Sequence, residues 1–267
     1  MDYRQALETA IRAAQAAGEV LRREFRVPGG PRGSPGKAPV DGEAEWVIRK
    51  QLADAFPGFG YRGEETGYQG AAAGEPHCWL VDPNDGTRDY QRGRRGPAVS
   101  IGLLRDGQPV LGVVYSFAAP DDAGDLFAWA EGCGPLRRND QAVQPRPWPA
   151  KLDRSDIVLL STGAGRRSLA NARLIAPARF RVVPSIAYRL ALAAAGEGVA
   201  AVSLTSPGAW DYAGGHALLR AAGGELLDQA GQLVGYSREG LSETLRCFGG
   251  APAIVKDLAR VLPVPLG

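Results

Sequence analysis

Three short segments place carboxylates where a protein core would not choose them. They are Gly63-Glu64-Glu65-Thr66, Trp79-Leu80-Val81-Asp82-Pro83-Asn84-Asp85-Gly86-Thr87 and Ala209-Trp210-Asp211-Tyr212-Ala213-Gly214-Gly215. If Glu64, Asp82, Asp85 and Asp211 converge, four negative charges share one site. At an effective dielectric of about 20, each pair ~4 Å apart costs about 4 kcal/mol. Such a cluster persists only with cations between the carboxylates. Oxygen-only ligands select hard ions, and Mg²⁺ keeps waters and pairs with substrate phosphate. Two or three Mg²⁺ ions would activate a water, hold phosphate oxygens and neutralise a leaving oxygen. The amides of Gly86 and Thr87, at the start of a helix, would receive the phosphate. Each segment alone has a plainer reading: Asp85 as a helix cap, Asp82 as a turn residue, Glu64-Glu65 as a solvated pair.

The flanking pattern says which elements must position these groups. Leu7, Ile11, Ala14, Ala17, Leu21 and Phe25 recur at helical spacing and predict a helix over 4–25. The Pro/Gly-rich stretch 26–40 predicts irregular chain, either a linker or a mobile loop beside a site. A second helix is expected over 43–55. Cys78 to Val81 reads as a buried strand that Pro83 stops, delivering Asp82 at its end. Runs 98–104 and 109–117, joined at Asp106-Gly107, read as a hairpin, and 125–130 continues the strand pattern. Segments 137–141 and 145–149 read as turns. Farther on come a strand at 156–160, a helix at 186–195, a strand at 199–204 and a helix at 211–222 that Gly223-Gly224 ends. Interleaved helices and strands argue for a layered α/β (α+β) sandwich. A composition shift near 150 suggests an N-terminal subdomain 1–150 and a C-terminal subdomain 151–267.

Composition removes several function classes. Lys and Arg number 31 against 29 Asp and Glu, so no global basic field exists to hold a nucleic acid polymer. No run of about 18 apolar residues is present to span a membrane. The N-terminus, with Asp2, Glu8 and Glu19, lacks the apolar core of a secretion signal. Cys78, Cys133 and Cys247 are sparse and odd in number, which suits reduced thiols in a cytoplasm. His77 and His216 are the sole histidines and offer little for a His-based zinc site or a Ser-His-Asp triad. Carboxylates are left to do the chemistry. A calcium-binding EF-hand loop starting at Asp82 fails, because its sixth and twelfth positions are Thr87 and Gly93. A D-x-D-x-T aspartyl nucleophile motif fails too, because Asp82 and Asp85 are one residue too far apart.

In order and spacing, the three segments resemble the inositol monophosphatase family of Mg²⁺-dependent, lithium-sensitive phosphatases. That family's pattern is G-E-E, then W-x-x-D-P-x-D-G-T, then W-D-x-A-G far downstream. Ala98-Val99-Ser100-Ile101-Gly102, Gly112-Val113-Val114-Tyr115-Ser116 and Ala222-Gly223-Gly224 extend the likeness over about residues 5–250. The resemblance implies a layered α-β-α-β-α sandwich of the inositol monophosphatase/fructose-bisphosphatase type, a cytoplasmic homodimer, and a small-molecule phosphate ester as substrate. It implies that Glu64, Asp82 and the carbonyl of Asn84 hold a first metal, and that Asp82, Asp85 and Asp211 hold a second. Glu64 and Thr87 would orient the attacking water, with Glu65 in support. Asp41 aligns with a mobile-loop aspartate near a third metal. Asn84 stands where the family usually has Ile or Leu, a change that a backbone ligand tolerates.

Substrate choice is expected to lie outside the metal core. Gly86, Thr87, Arg88, Arg94, Arg95 and Ser185 are the candidate phosphate and substrate contacts. Thr87-Arg88-Asp89-Tyr90 replaces the T-T-N-F of inositol phosphatases and looks more like the bisphosphate nucleotidase branch. Histidinol phosphatases also carry Lys or Arg at this place. Leu204 stands where inositol phosphatases often carry a hydroxyl-binding Glu, and Gly215-His216 also resembles the nucleotidase branch. Residues 98–102 and 112–116 read instead like inositol phosphatases. Arg92, Arg94 and Arg95 form a basic loop that a second phosphate would meet. A homologue that kept the fold and lost catalysis is the alternative of a different class.

Overall fold

The computed structural model describes residues 2–262. The chain opens with α1 (Arg4–Phe25) and α2 (Pro39–Ala55). Next come β1 (Gly60–Gly63), β2 (Gly67–Gln69), β3 (His77–Asp85) and the single turn α3 (Thr87–Tyr90). The strands β4 (Ala98–Arg105), β5 (Gln108–Ser116), β6 (Asp125–Ala130), β7 (Arg137–Arg138) and β8 (Gln141–Ala142) follow. The later half contains β9 (Ile157–Leu160), a 3₁₀ turn over Thr162–Arg167, α4 (Ser168–Leu174), β10 (Arg179–Val182), α5 (Ile186–Ala194) and β11 (Ala200–Ser203). It closes with α6 (Ala209–Ala221), β12 (Glu225–Leu227), β13 (Cys247–Gly250) and α7 (Pro252–Val261).

Two sheets result. The first has eight strands in the order β2-β1-β3-β4-β5-β6-β7-β8, and only β1–β3 is a parallel pair. The second has five strands in the order β10-β9-β11-β13-β12, with β10, β9 and β11 parallel. Helices α1 and α2 cover the outer face of the first sheet through Leu7, Leu21, Ile48 and Leu52. Helices α5 and α6 fill the space between the sheets through Leu190, Tyr212 and Leu219. Helix α7 closes the outer face of the second sheet through Ile254, Val255 and Leu258. The α-β-α-β-α layering follows. Burial on both faces also explains why β4 and β5 read as near-continuous apolar runs.

Several boundaries differ from the sequence reading. Helix α2 starts at Pro39 rather than 43, because proline suits the first helical position, where its missing N–H costs nothing. Strand β3 does not stop at Pro83. It continues to Asp85 through a register shift between Asp82 and Asp85, an irregularity in which proline is tolerated. Segment 137–141 belongs to the small β7–β8 hairpin, turned by Asn139 and Asp140 with φ of 48° and 63°. Loop 26–38 is irregular as expected, but it is pinned. The Gln91 side chain donates to the carbonyls of Ser34 and Lys37 and accepts from the Gly36 N–H. No helix among the described residues is long and apolar enough to cross a membrane.

Helix α6 lies unusually close to the first sheet. A Cβ added at Gly112 on β5 would meet the Gly214 carbonyl oxygen at 2.2 Å. On the neighbouring strand, the Ser100 hydroxyl donates to the Trp210 carbonyl at 3.0 Å. These contacts set the height at which α6 carries Asp211. Gly112→Ala should therefore cost about 1–3 kcal/mol of unfolding free energy, the usual scale of overpacking. Denaturant unfolding checks this, and an unchanged midpoint would show that the helix has room to move.

Candidate metal and phosphate site

Four elements supply the acidic side chains. Asp82 and Asp85 lie at the end of β3, and Asp211 lies in the first turn of α6. One oxygen from each of these three carboxylates lies within 4.8 Å of the others. Opposite oxygens around Mg²⁺ are about 4 Å apart and around Ca²⁺ about 5 Å, so the three fit a hard cation. Glu64, just after β1, lies close enough for its carboxyl and that of Asp82 to perturb each other. Asp41, on α2, joins from the other side. It accepts from the Asn84 amide at 2.9 Å and from the Thr87 hydroxyl at 3.0 Å. Asp41 is 1% exposed and sits in a helical turn, so the expected mobile-loop position is corrected.

Neutral hydrogen-bond donors hold these acids in place. The Asp85 carboxylate accepts from the Ser185 hydroxyl at 2.6 Å and the Ala187 N–H at 2.8 Å, at the N-terminus of α5. Asp82 accepts from the Asn84 N–H at 2.7 Å, and Asp211 from the Gly208 N–H at 3.0 Å. Buried Glu45 of α2 accepts from the Glu65 and Thr66 N–H groups at 2.7 and 2.9 Å, so it fixes the loop that presents Glu64. Gly63 is required for that contact, since a Cβ there would lie 1.9 Å from a Glu45 oxygen. Gly86, with φ of 103°, turns the chain so that Thr87 opens α3 beside the acids.

The electrostatics are those of a site built for positive charge. Burial first, then the charges of Glu64, Asp211 and Asp85, raise the Asp82 carboxyl well above its ordinary range. Burial, Asp85 and Glu64 do the same to Asp211. Glu64 lies on the exposed rim, yet desolvation and its acidic neighbours push it to about 7. Asp41 is also pushed to about 7, mainly by burial. Asp85 is raised by burial and drawn back by Ser185, the α5 amides and the Arg189 guanidinium.

The expected substrate contacts are distributed differently. Ser185 does not face the phosphate position. It is fully buried, its hydroxyl donates to Asp85 and accepts from the Tyr188 N–H, and it positions Asp85. Arg94 is bound to Asp89 at 2.7 Å, and Arg95 to Asp122 at 2.7 Å and to the Ala118 carbonyl. Both guanidiniums are thus already ion-paired. Arg88 is exposed and has no acidic partner among the described residues. Glu65 lies on the rim with Lys37, whose charge draws its raised pKa back down. Leu204 packs against the core of the second sheet. His216 is buried beside Tyr236, and desolvation drops it to about 3, so it stays neutral.

Four contributors escaped the sequence reading: Lys37, Glu45, Arg166 and Arg189. Glu45 sits four residues after Asp41 on the same helix face, a signal the sequence did contain. Arg189 is 2% exposed and donates to the Val183 and Pro184 carbonyls at 2.6 and 2.7 Å beneath Asp85. Its spacing from Ser185 carries no signal without the fold.

Oxygens of Asp82, Asp85 and Asp211 that could share one cation, beside the Gly86–Thr87 turn that opens α3, are an arrangement suited to a phosphoric monoester hydrolase. Residues 2–258 match the sequence profile of the inositol monophosphatase family. An inositol-1-monophosphatase of Mesorhizobium japonicum is 33% identical over 240 residues, 84% of this chain and 86% of that protein. A protein of Xylella fastidiosa named Nus factor SuhB is 33% identical over 203 residues, 72% of this chain and 68% of that one. The solved inositol monophosphatase of Anabaena superposes with a TM-score of 0.77 at 26% identity, covering 99% of both chains. The chain belongs to the inositol monophosphatase family, and both the resemblance and the expected layering are borne out.

Stability should report the crowding of these acids. In the folded chain, Asp41 and Glu64 keep their protons to about 7, against ordinary values of 3.8 and 4.5. Across that window the unfolded chain binds fewer protons, so unfolding free energy falls as pH rises. In chelator, the melting temperature should be higher at about pH 5 than at about pH 8, and Mg²⁺ should remove the difference. A melting temperature that climbs with pH in chelator would rule out net repulsion in the site.

Proposed function

We propose that the chain hydrolyses a small phosphorylated metabolite, with Mg²⁺ held by Glu64, Asp82, Asp85, Asp211 and the Asn84 carbonyl. The observation that carries this reading is the triad of buried Asp82 and Asp85 with half-buried Asp211, one oxygen of each lying within 4.8 Å of the others. When bound, the cations would supply a more acidic water and neutralise phosphate and leaving-oxygen charge. The protein's own groups set direction. Glu64 and the Thr87 hydroxyl orient the water. Thr87 already donates to Asp41 at 3.0 Å, which leaves its oxygen lone pairs to accept from that water. The water oxygen bonds to phosphorus as the ester P–O bond breaks. The proton that the water loses passes toward the Thr87–Asp41 pair, and the departing alkoxide takes a proton from solvent and leaves as the alcohol. Glu65, fixed through its backbone by Glu45, supports the rim.

Asp82 is central to both proposed ligand sets. Asp82→Asn should abolish Mg²⁺-supported phosphate release while the protein stays folded. Its melting temperature in chelator should rise, because like-charge repulsion falls. Near-normal turnover in a folded Asp82→Asn protein would overturn the assignment.

Lithium tests the second ligand set separately. Li⁺ at millimolar levels should inhibit in an uncompetitive manner, and altering Asp85 or Asp211 should weaken that inhibition. Complete insensitivity would argue against a standard second-metal site while leaving the hydrolytic reading intact.

A further inference from the structure

Arg88, Arg92 and Arg166 line one cavity of about 580 Å³ beside α3. Arg88 follows Thr87 directly, Arg92 lies just past the same turn, and Arg166 arrives from the 3₁₀ turn of the second half. No carboxylate lines this cavity. Among the described residues, none hydrogen-bonds or ion-pairs with these three guanidiniums. Arg94 and Arg95, by contrast, are held by Asp89 and Asp122. The nearby Asp89 is also engaged by the Thr162 hydroxyl at 2.6 Å, which ties the 3₁₀ turn to α3. The opposite wall is the loop around Ser34, held in place by Gln91.

The cavity adjoins the proposed catalytic centre. Gly33 and Ser34 line both it and the cavity of about 510 Å³ that holds Glu64, Glu65 and Lys37. Three like charges with no local counter-ion are costly to gather and suit an anion with several acceptor oxygens. Guanidinium forks match phosphate oxygens in pairs. We propose that Arg88, Arg92 and Arg166 form a subsite for a second phosphate, so that the preferred substrate is a phosphate ester bearing two phosphates. This rests on the hydrolytic reading above: one phosphate is cleaved at the acidic centre while the other is held by the arginines.

The test uses two matched pairs of esters with the Mg²⁺-loaded protein: adenosine 3′-monophosphate against adenosine 3′,5′-bisphosphate, and fructose 1-phosphate against fructose 1,6-bisphosphate. In at least one pair, kcat/KM for the bisphosphate should exceed that for the monophosphate by about 10-fold or more, the scale of charge-assisted hydrogen bonds. Arg92→Ser and Arg166→Ser should each reduce the ratio several-fold, and together should bring it near one. Raising salt should compress the ratio in the parent protein, because the subsite is exposed. A variant losing an arginine outside the cavity, Arg154→Ser, controls for net charge. The proposal is overturned if neither bisphosphate is favoured, or if the preference survives the double variant. Failure of the hydrolytic reading looks different: no phosphate is released from any of the four esters. Calorimetric binding of the bisphosphates to parent and double variant then decides the subsite, and equal binding, or none, overturns it.

Discussion

Mutual repulsion among buried carboxylates is the constraint around which this structure is arranged. Asp82, Asp85 and Asp211 cannot share a few ångströms of low-dielectric space as bare anions, and the raised pKa values of Asp82 and Asp211 record that conflict. The chain does not remove the conflict with arginine partners at each acid, which would fill the cation's place. It restrains each acid from behind with dipoles instead: the α5 N-terminus and Ser185 for Asp85, the Gly208 N–H for Asp211, the Asn84 N–H for Asp82. Among the described residues the one buried arginine or lysine, Arg189, donates to the Val183 and Pro184 carbonyls beneath the site. Fronts of the carboxylates stay available while their backs are fixed, and this is electrostatic preorganisation.

The layering follows from the same need. Asp85 and Asp211 are far apart in sequence and belong to different halves of the chain. The middle layer brings them together: α6 delivers Asp211, and α5 delivers the amides that hold Asp85. Close approach of α6 to the first sheet at Gly112 and Gly214 sets the gap within which three carboxylates can reach one cation. On the outer side, α2 contributes both Asp41 and Glu45, one touching Thr87 and the other gripping the Glu64 loop. The packing of α2 on the sheet is therefore transmitted to two proposed functions of the site, water orientation and ligand placement.

The acidic segments were legible in the sequence because their residue types are improbable in a core and their spacing is local. Asp82 and Asp85 lie three residues apart on one strand end, and no tertiary information was needed to suspect them. The long amphipathic α1 and the β4–β5 hairpin were legible for the same reason, since their periodicity is short-range. What stayed hidden depended on contacts distant in sequence. Arg166 lines the same cavity as Arg88 because the 3₁₀ turn docks on α3 through Thr162 and Asp89. The pairing of Arg94 with Asp89 and of Arg95 with Asp122 likewise depends on how loop ends meet, so a basic run read as a unit proved to be divided. The 26–40 stretch reads as irregular chain and Pro83 as a strand stop, yet Pro39 opens a helix and Pro83 sits in a strand irregularity, two roles that local pattern separates poorly.

The charges are segregated in depth, and this bears on the order of events. Asp41, Asp82 and Asp85 form a buried floor; Glu64, Glu65, Lys37, Arg88, Arg92 and Arg166 are exposed around it, where the cations outnumber the acids. An anionic ester approaching the protein is attracted by the rim and repelled by a floor without cations. Once cations neutralise the floor, the same ester meets favourable charge at both levels. The field therefore favours cation first and ester second, through interaction energies alone and without a conformational gate. The Gln91 anchor on the rim loop fits this reading, because a fixed rim keeps its positive charges at a constant distance from the floor. Selectivity for the ester can then reside in the rim, while the floor serves any phosphate that reaches it.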